Sequence, residues 1–255
     1  MTRLSSPVQN MKDHYDVVVV GSGYGGAIAA CRLARAGRRV CLLERGREIR
    51  PGEYPDTLLE ATEETQVQLS ESHIGDRTAL FDFRIGREIS VLVGCGLGGT
   101  SLINANVALR PLPEVFAQPA WPQALRSAAA QHGLDPYFRL AEEMLGSTPY
   151  PHQDPPLRKL QAQERSAAGL RKPLRRPPLN VTFTAGVNAA GVPQGSCQQC
   201  GDCVTGCNYS AKNTTLMNYL PDAHHHAAEI FTTVAVRYIE PAPVGWLVHF
   251  EILEA

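Results

Sequence analysis

The stretch that decides the fold is YDVVVVGSGYGGAIAACRLARAGRRVCLLERG, Tyr15 to Gly46. Tyr15 to Val20 is a continuous β-branched run, suited to a strand buried on both faces of a parallel sheet. It runs straight into Gly21-Ser22-Gly23-Tyr24-Gly25-Gly26. An Ala-rich segment follows, Ala27 to Ala36, with Ile28, Cys31, Leu33 and Ala34 at helical spacing, and Gly37 supplies its stop. A second apolar run, Arg39 to Leu43, ends at Glu44. Strand, glycine turn, helix and strand within about 30 residues predict a right-handed βαβ unit.

The glycine spacing has a chemical reading. Gly21 permits a tight turn, Gly23 lets backbone approach a pyrophosphate, and Gly26 allows close helix–strand packing. The helix N-terminus offers free N–H groups and a positive dipole end to phosphate. Glu44 stands 18 residues after Gly26, where it can accept hydrogen bonds from an adenosine ribose. That carboxylate disfavours a 2′-phosphate, and so NADP, despite the neighbouring Arg45. Ser22, Tyr24, Gly25 and Arg45 complete the first candidate set.

NAD and FAD share this turn, so the choice between them rests on Gly94-Cys95-Gly96-Leu97-Gly98-Gly99-Thr100 and its continuation to Asn106. A flavin dinucleotide is longer than its adenylate half. A second loop that exposes backbone is a natural way to hold its inner phosphate and ring system. The competing reading is a structural glycine turn.

The rest of the chain sets the frame. At 255 residues, 44% hydrophobic and 19% charged, it fits a soluble globular protein with a substantial core. A net charge of -1 gives no bulk attraction to nucleic acid. Arg171, Lys172, Arg175 and Arg176 are interleaved with prolines and read as a solvated loop. The first dozen residues lack the apolar core of a secretory signal, and no apolar stretch reaches membrane-helix length, so a cytoplasmic location is expected. Strands are predicted at Thr78 to Phe83, Glu88 to Val93, Asn180 to Thr184, Glu229 to Ile239 and Trp246 to Ile252. Helices are predicted near Thr57 to Glu63, Pro122 to Gln131, Pro136 to Leu145, Leu157 to Leu170 and Thr214 to Ala223.

Three blocks resemble the glucose–methanol–choline oxidoreductases, in their cholesterol-oxidase-like branch. They are Asp16 to Gly46, GREISVLVGCGLGGTSLINANVALRP at Gly86 to Pro111, and AKNTTLMNYLPDA at Ala211 to Ala223 with EIFTTVAVRYIE at Glu229 to Glu240. Asp135 to Pro151 adds weaker likeness. The resemblance implies an α/β fold, a Rossmann-like FAD-binding domain over 12–255. Its parts would be a βαβ core (14–46), a second glycine loop (86–111), a helical and loop insertion (112–196), a cysteine-rich loop (197–210) and adenine-contacting strands in a β-ribbon (229–252). It further implies Gly96, Gly98, Gly99 and Thr100 along the flavin pyrophosphate, Asn104 and Asn106 near the isoalloxazine, and the Val236 backbone at the adenine. The substrate would be an alcohol, sterol-like in the nearest branch. The family's catalytic His comes from a C-terminal substrate domain that is expected to be missing here. The chain therefore reads as an N-terminal fragment, a truncated and inactive product, or half of a split enzyme with a partner subunit. The eight histidines read as structural or surface residues, and the catalytic residues are unknown.

Cys197, Cys200, Cys203 and Cys207 follow C-x2-C-x2-C-x3-C, the spacing of bacterial ferredoxins. Gly201 and Gly206 would let the loop fold around a 4Fe–4S cluster. Asn208 stands where ferredoxins place Pro, and no second cysteine set is present. A structural zinc site and metal-free thiols remain as alternatives. A cluster would favour a flavin and iron–sulfur electron-transfer module or a dehydrogenase over an oxidase. Cys31 and Cys41 are expected to be buried apolar fillers.

Overall fold

The computed structural model describes residues 2–152 and 157–253, so residues 153–156 of the expected insertion lie outside it. In chain order the main elements are β1 (Val17–Val20), α1 (Tyr24–Arg35), β2 (Val40–Leu43), α2 (Leu58–Glu63), β3 (Thr65–Gln68), β4 (His73–Ile74), β5 (Phe81–Arg84) and β6 (Val91–Gly94). Then come α3 (Pro113–Ala117), α4 (Gln123–Ala130), α5 (Asp135–Leu145), α6 (Arg158–Gly169), α7 (Tyr219–His225), β7 (Glu229–Phe231), β8 (Val234–Pro241) and β9 (Trp246–Ile252).

The first sheet is parallel with order β1-β2-β7, and β2 is paired on both edges. That central position buries all four residues of β2. Helix α1 crosses over between β1 and β2 and buries Ala27, Ala30, Cys31 and Ala34, small residues that let it approach the sheet and α7 closely. Gly37 ends it at φ +74°, a conformation costly for any residue with a Cβ. Leu42, Leu80, Leu97, Leu102, Leu216, Leu220 and Ile230 fill the core between these elements.

A second, mixed sheet has order β4-β3-β5-β6, with β3 parallel to β5 and a hairpin between β5 and β6. Sequence periodicity placed the hairpin but missed β3 and β4, which are short and polar. Helix α2 starts at a capping box, in which the Thr57 side chain accepts from Glu60 N and the Glu60 side chain accepts from Thr57 N. Helices α3 to α6 contain no buried residue, so the insertion sits on the outside of the core.

Two sequence expectations are corrected. The strand expected over Glu229 to Ile239 is two strands, because Thr233 takes φ +58° and the chain wraps the end of β2. There Glu44 N donates to Phe231 O, and Val234 N donates to Glu44 O. Only β8 belongs to the ribbon with β9, while β7 is a strand of the parallel sheet. The helix expected over Thr214 to Ala223 is a 3-10 turn at Thr215–Met217 followed by α7. The break falls at Asn218, whose side chain accepts from Tyr219 N at 2.7 Å.

Candidate cofactor site

The site forms where the β1–α1 turn meets the second glycine loop. Gly21 sits at φ +85°, as the tight turn requires. A Cβ on Gly26 would lie 1.9 Å from Gly21 O, so the helix reaches the strand only with glycine there. Gly23 and Gly25 differ: a Cβ at either meets nothing within 4 Å. Their lack of side chains keeps the space above the first turn of α1 open. The N-cap is Gly23, with no side-chain cap, so the first N–H groups of α1 have no protein acceptor supplied there. A bare helix N-terminus under open space fits a phosphate group.

The second loop packs against the first. A Cβ on Gly99 would come within 2.8 Å of Gly23 Cα, and one on Gly46 within 2.2 Å of Gly96 N. Gly98 and Gly99 take φ +126° and +56°, which opens a short 3-10 turn over Gly99–Leu102. Thr100 is exposed, and its Oγ1 accepts from Gly94 N at 3.2 Å.

A buried polar network locks the two loops together. Ser22 Oγ donates to Glu44 Oε2 and accepts from Gly98 N at 2.8 Å. Glu44 also accepts from Ser22 N and Gly46 N, each at 2.9 Å. Burial pushes the Glu44 carboxyl above its ordinary value, while these donors pull it back. Ser101 Oγ donates to Gly98 O at 2.6 Å, and Thr215 Oγ1 lies 3.2 Å from both Gly98 O and Ser22 O. Ser101 and Thr215 escaped the sequence reading. Their signal was a hydroxyl in a segment otherwise fit for the core.

Other expected residues are placed as follows. The Arg45 guanidinium turns to Asp82, Gln66 and the Arg77 carbonyl, tying β2 to the second sheet. Asn104 donates from Nδ2 to the Tyr24 hydroxyl at 2.8 Å and accepts from Asn106 N at 3.1 Å. Asn106 is buried at φ +65°, and its Oδ1 has no partner among the described residues. Val236 pairs with Phe250 at the inner end of the ribbon, packed against Cys41, Leu43, Phe231 and Val234. Cys41 is buried, as expected. Cys31 is buried too, but its thiol donates to Asp222 Oδ2 at 2.8 Å, a polar role beyond filling.

Lys212 is the third residue the sequence reading missed. It is 2% exposed, and its ammonium donates to Leu102 O and Asn104 O at 2.8 Å and to Cys203 O at 2.6 Å. Burial lowers its pKa to about 8, with the nearby thiols of Cys203 and Cys207 acting in the opposite sense. One side chain thus fastens the cysteine loop to the segment leading out of the second glycine loop. All four clustered cysteines line one cavity beyond it. As placed, no three Cys, His, Asp or Glu side chains among the described residues form a group that could hold a metal ion.

A parallel α/β core whose first βα turn meets a second glycine loop is the architecture of dinucleotide-binding domains. The family model for GMC oxidoreductases matches residues 15–242, and the chain belongs to that family. GMC oxidoreductases are FAD-dependent and act on CH–OH donors. The chain is 30% identical over 256 residues to a cholesterol oxidase of Mycobacterium tuberculosis, covering 90% of this chain and 40% of that protein. It is 28% identical to a cholesterol oxidase of Acinetobacter baumannii, covering 89% and 41% of the two chains. A long-chain-alcohol oxidase of Arabidopsis thaliana is 27% identical, over 85% of this chain and 25% of its own length. The chain therefore spans about 40% of the length of the cholesterol oxidases it matches. Among the described residues, no helix is long and apolar enough to cross a membrane.

Proposed function

We propose that the chain holds FAD for an enzyme that oxidises an alcohol, sterol-like in bulk, by hydride transfer to the flavin. The observation that carries this reading is the contact between the two glycine loops at Gly23 and Gly99. It sets the open N-terminus of α1 beside the end of the second glycine loop, where Gly99 and the exposed Thr100 begin a 3-10 turn, and a pyrophosphate flanked by two large groups would lie along that junction. The flavin supplies the hydride acceptor when bound.

The residues divide the work of binding. Gly21 to Gly26 would take the adenylate phosphate and Gly96 to Thr100 the inner one. Glu44 has spent three of its roughly four acceptor positions on Ser22 and Gly46, and one is left for a ribose hydroxyl. Val236 would border the adenine. Asn106 Oδ1, buried without a donor, suits an N–H of the flavin ring. The hydroxyl proton of the substrate needs a base. The cholesterol oxidases among the relatives are more than twice as long as this chain, and we assign the base to a further segment or partner subunit. The sterol-like substrate rests on the cholesterol oxidases among the relatives.

Titration of the purified chain with FAD, followed by flavin fluorescence and visible absorbance, tests the reading. One FAD per folded chain is the expected result. A chain that is folded by circular dichroism yet leaves FAD free in solution would overturn it.

A further inference from the structure

The four clustered cysteines are not used by the flavin reading. In two-cluster ferredoxins the fourth cysteine of this spacing serves the other cluster. Here Cys207 instead lines the same cavity, of about 250 Å³, as Cys197, Cys200 and Cys203. Gln199 N donates to Cys197 Sγ at 3.4 Å, as backbone N–H groups do to metal-bound sulfur. That contact favours thiolate, while burial pushes the Cys197 and Cys200 thiols above their ordinary value.

The second observation is Lys212, which lines the same cavity. The residue is buried with its ammonium set against three carbonyls, and among the described residues no carboxylate pairs with it. A buried cation without a counter-charge is costly. An anionic group in the cavity would supply that charge. Val181 and Phe183 add an apolar wall on one side of it.

We propose that Cys197, Cys200, Cys203 and Cys207 bind a 4Fe–4S cluster in this cavity, with Lys212 as its buried counter-ion. The thiols surround the space without converging on a point. Binding would draw them inward through the loop that turns at Gln199, Gly201 and Gly206, all at positive φ. Each thiol releases its proton to solvent as its S–Fe bond forms. The cavity also contains Asn106, so the cluster would lie against the segment assigned to the flavin ring.

The test is anaerobic reconstitution of the full chain with equal parts ferrous and ferric iron and with sulfide, in parallel with and without FAD. The mixed iron supplies both valences of the oxidised core, so no further oxidant is needed. About four iron and four acid-labile sulfide per chain are expected after desalting. Cys200→Ser and Cys203→Ser should each retain less than about half of both, while the unreconstituted variants melt with the unreconstituted parent. A folded chain that retains no iron, or one that takes up a single zinc ion and no sulfide, overturns the proposal. Iron uptake without FAD binding would sink the flavin reading and leave the cluster standing; the reverse result would do the opposite.

Discussion

Ser22 Oγ accepts the Gly98 N–H at 2.8 Å while donating its own proton to Glu44. One hydroxyl thus joins two glycine loops that lie 76 residues apart in the chain. Ser22→Ala would leave a buried N–H unpaired and remove one donor from a buried carboxylate. The expected cost is about 1–3 kcal/mol. That lowers the thermal midpoint by roughly 2–4 °C per kcal/mol for a chain of this size. FAD affinity should fall in parallel, because the second loop loses its anchor. Differential scanning calorimetry and FAD titration on the same preparation measure both, and an unchanged midpoint would show that the bridge is not formed in solution.

The two inner glycines of the first turn should fail in different ways. Gly26→Ala drives a Cβ to 1.9 Å from the Gly21 carbonyl, backbone against backbone, so the turn itself must move. Its cost should exceed about 3 kcal/mol, and little soluble protein is expected. Gly23→Ala meets nothing within 4 Å, and Gly23 sits at φ -61°, so the fold should survive within about 0.5 kcal/mol. The new methyl fills the space left for phosphate, and FAD affinity should drop at least about tenfold, or 1.4 kcal/mol. A Gly23→Ala chain that melts normally and binds FAD like the parent would place the pyrophosphate elsewhere.

The contrast between these glycines shows what was legible in the sequence. The βαβ unit was readable because a buried parallel strand and an amphipathic helix each carry their own period, with glycine punctuation between them. The strand at Glu229 to Phe231 was found but misassigned. Only the wrap around Glu44, with Thr233 left-handed, separates it from the ribbon, and Thr carries no local signal for that conformation. Ser101, Thr215 and Lys212 were missed for a related reason. Their roles arise from partners 114 and 110 residues away, which no window of sequence contains.

A pH dependence follows from Asp222, which links α7 to α1. Burial alone would raise its carboxyl. The Arg35 guanidinium and the Cys31 thiol outweigh that and hold it below the ordinary carboxylate value. The unfolded chain then binds more protons than the folded one as pH falls through about 4. The stabilisation is present above that value and lost below it. Asp222→Asn should cost about 1–2 kcal/mol at neutral pH, discounted because Arg35 is half-exposed. The variant's acid limb should be flatter, so that the two stability curves converge as pH falls below the ordinary carboxylate range. Urea midpoints taken across the acid range would show parallel curves if this pair does not titrate.

The ribbon of β8 and β9 should make the isolated chain associate. Its register shifts between Val236 and Tyr238, so one extra residue on β8 returns Val236 and Ile239 to the same face. Cross-strand pairing adds Phe250, Val248 and Trp246 to that face, which is therefore apolar along its whole length. The inner end packs on Cys41, Leu43 and Phe231, but Ile239 and Trp246 at the outer end are 55% and 64% exposed. A two-stranded ribbon is marginal by itself, and an apolar face on its tip invites a partner surface. Light scattering coupled to gel filtration should find the chain as dimers or larger species whose share grows with concentration. Ile239→Lys combined with Trp246→Lys should return it to a monomer with little change in melting temperature, since neither side chain lies in the core. A double variant that associates as strongly as the parent would move the sticky surface to the exposed apolar residues of β6, Val91 and Leu92, where the same pair of lysines can be placed next.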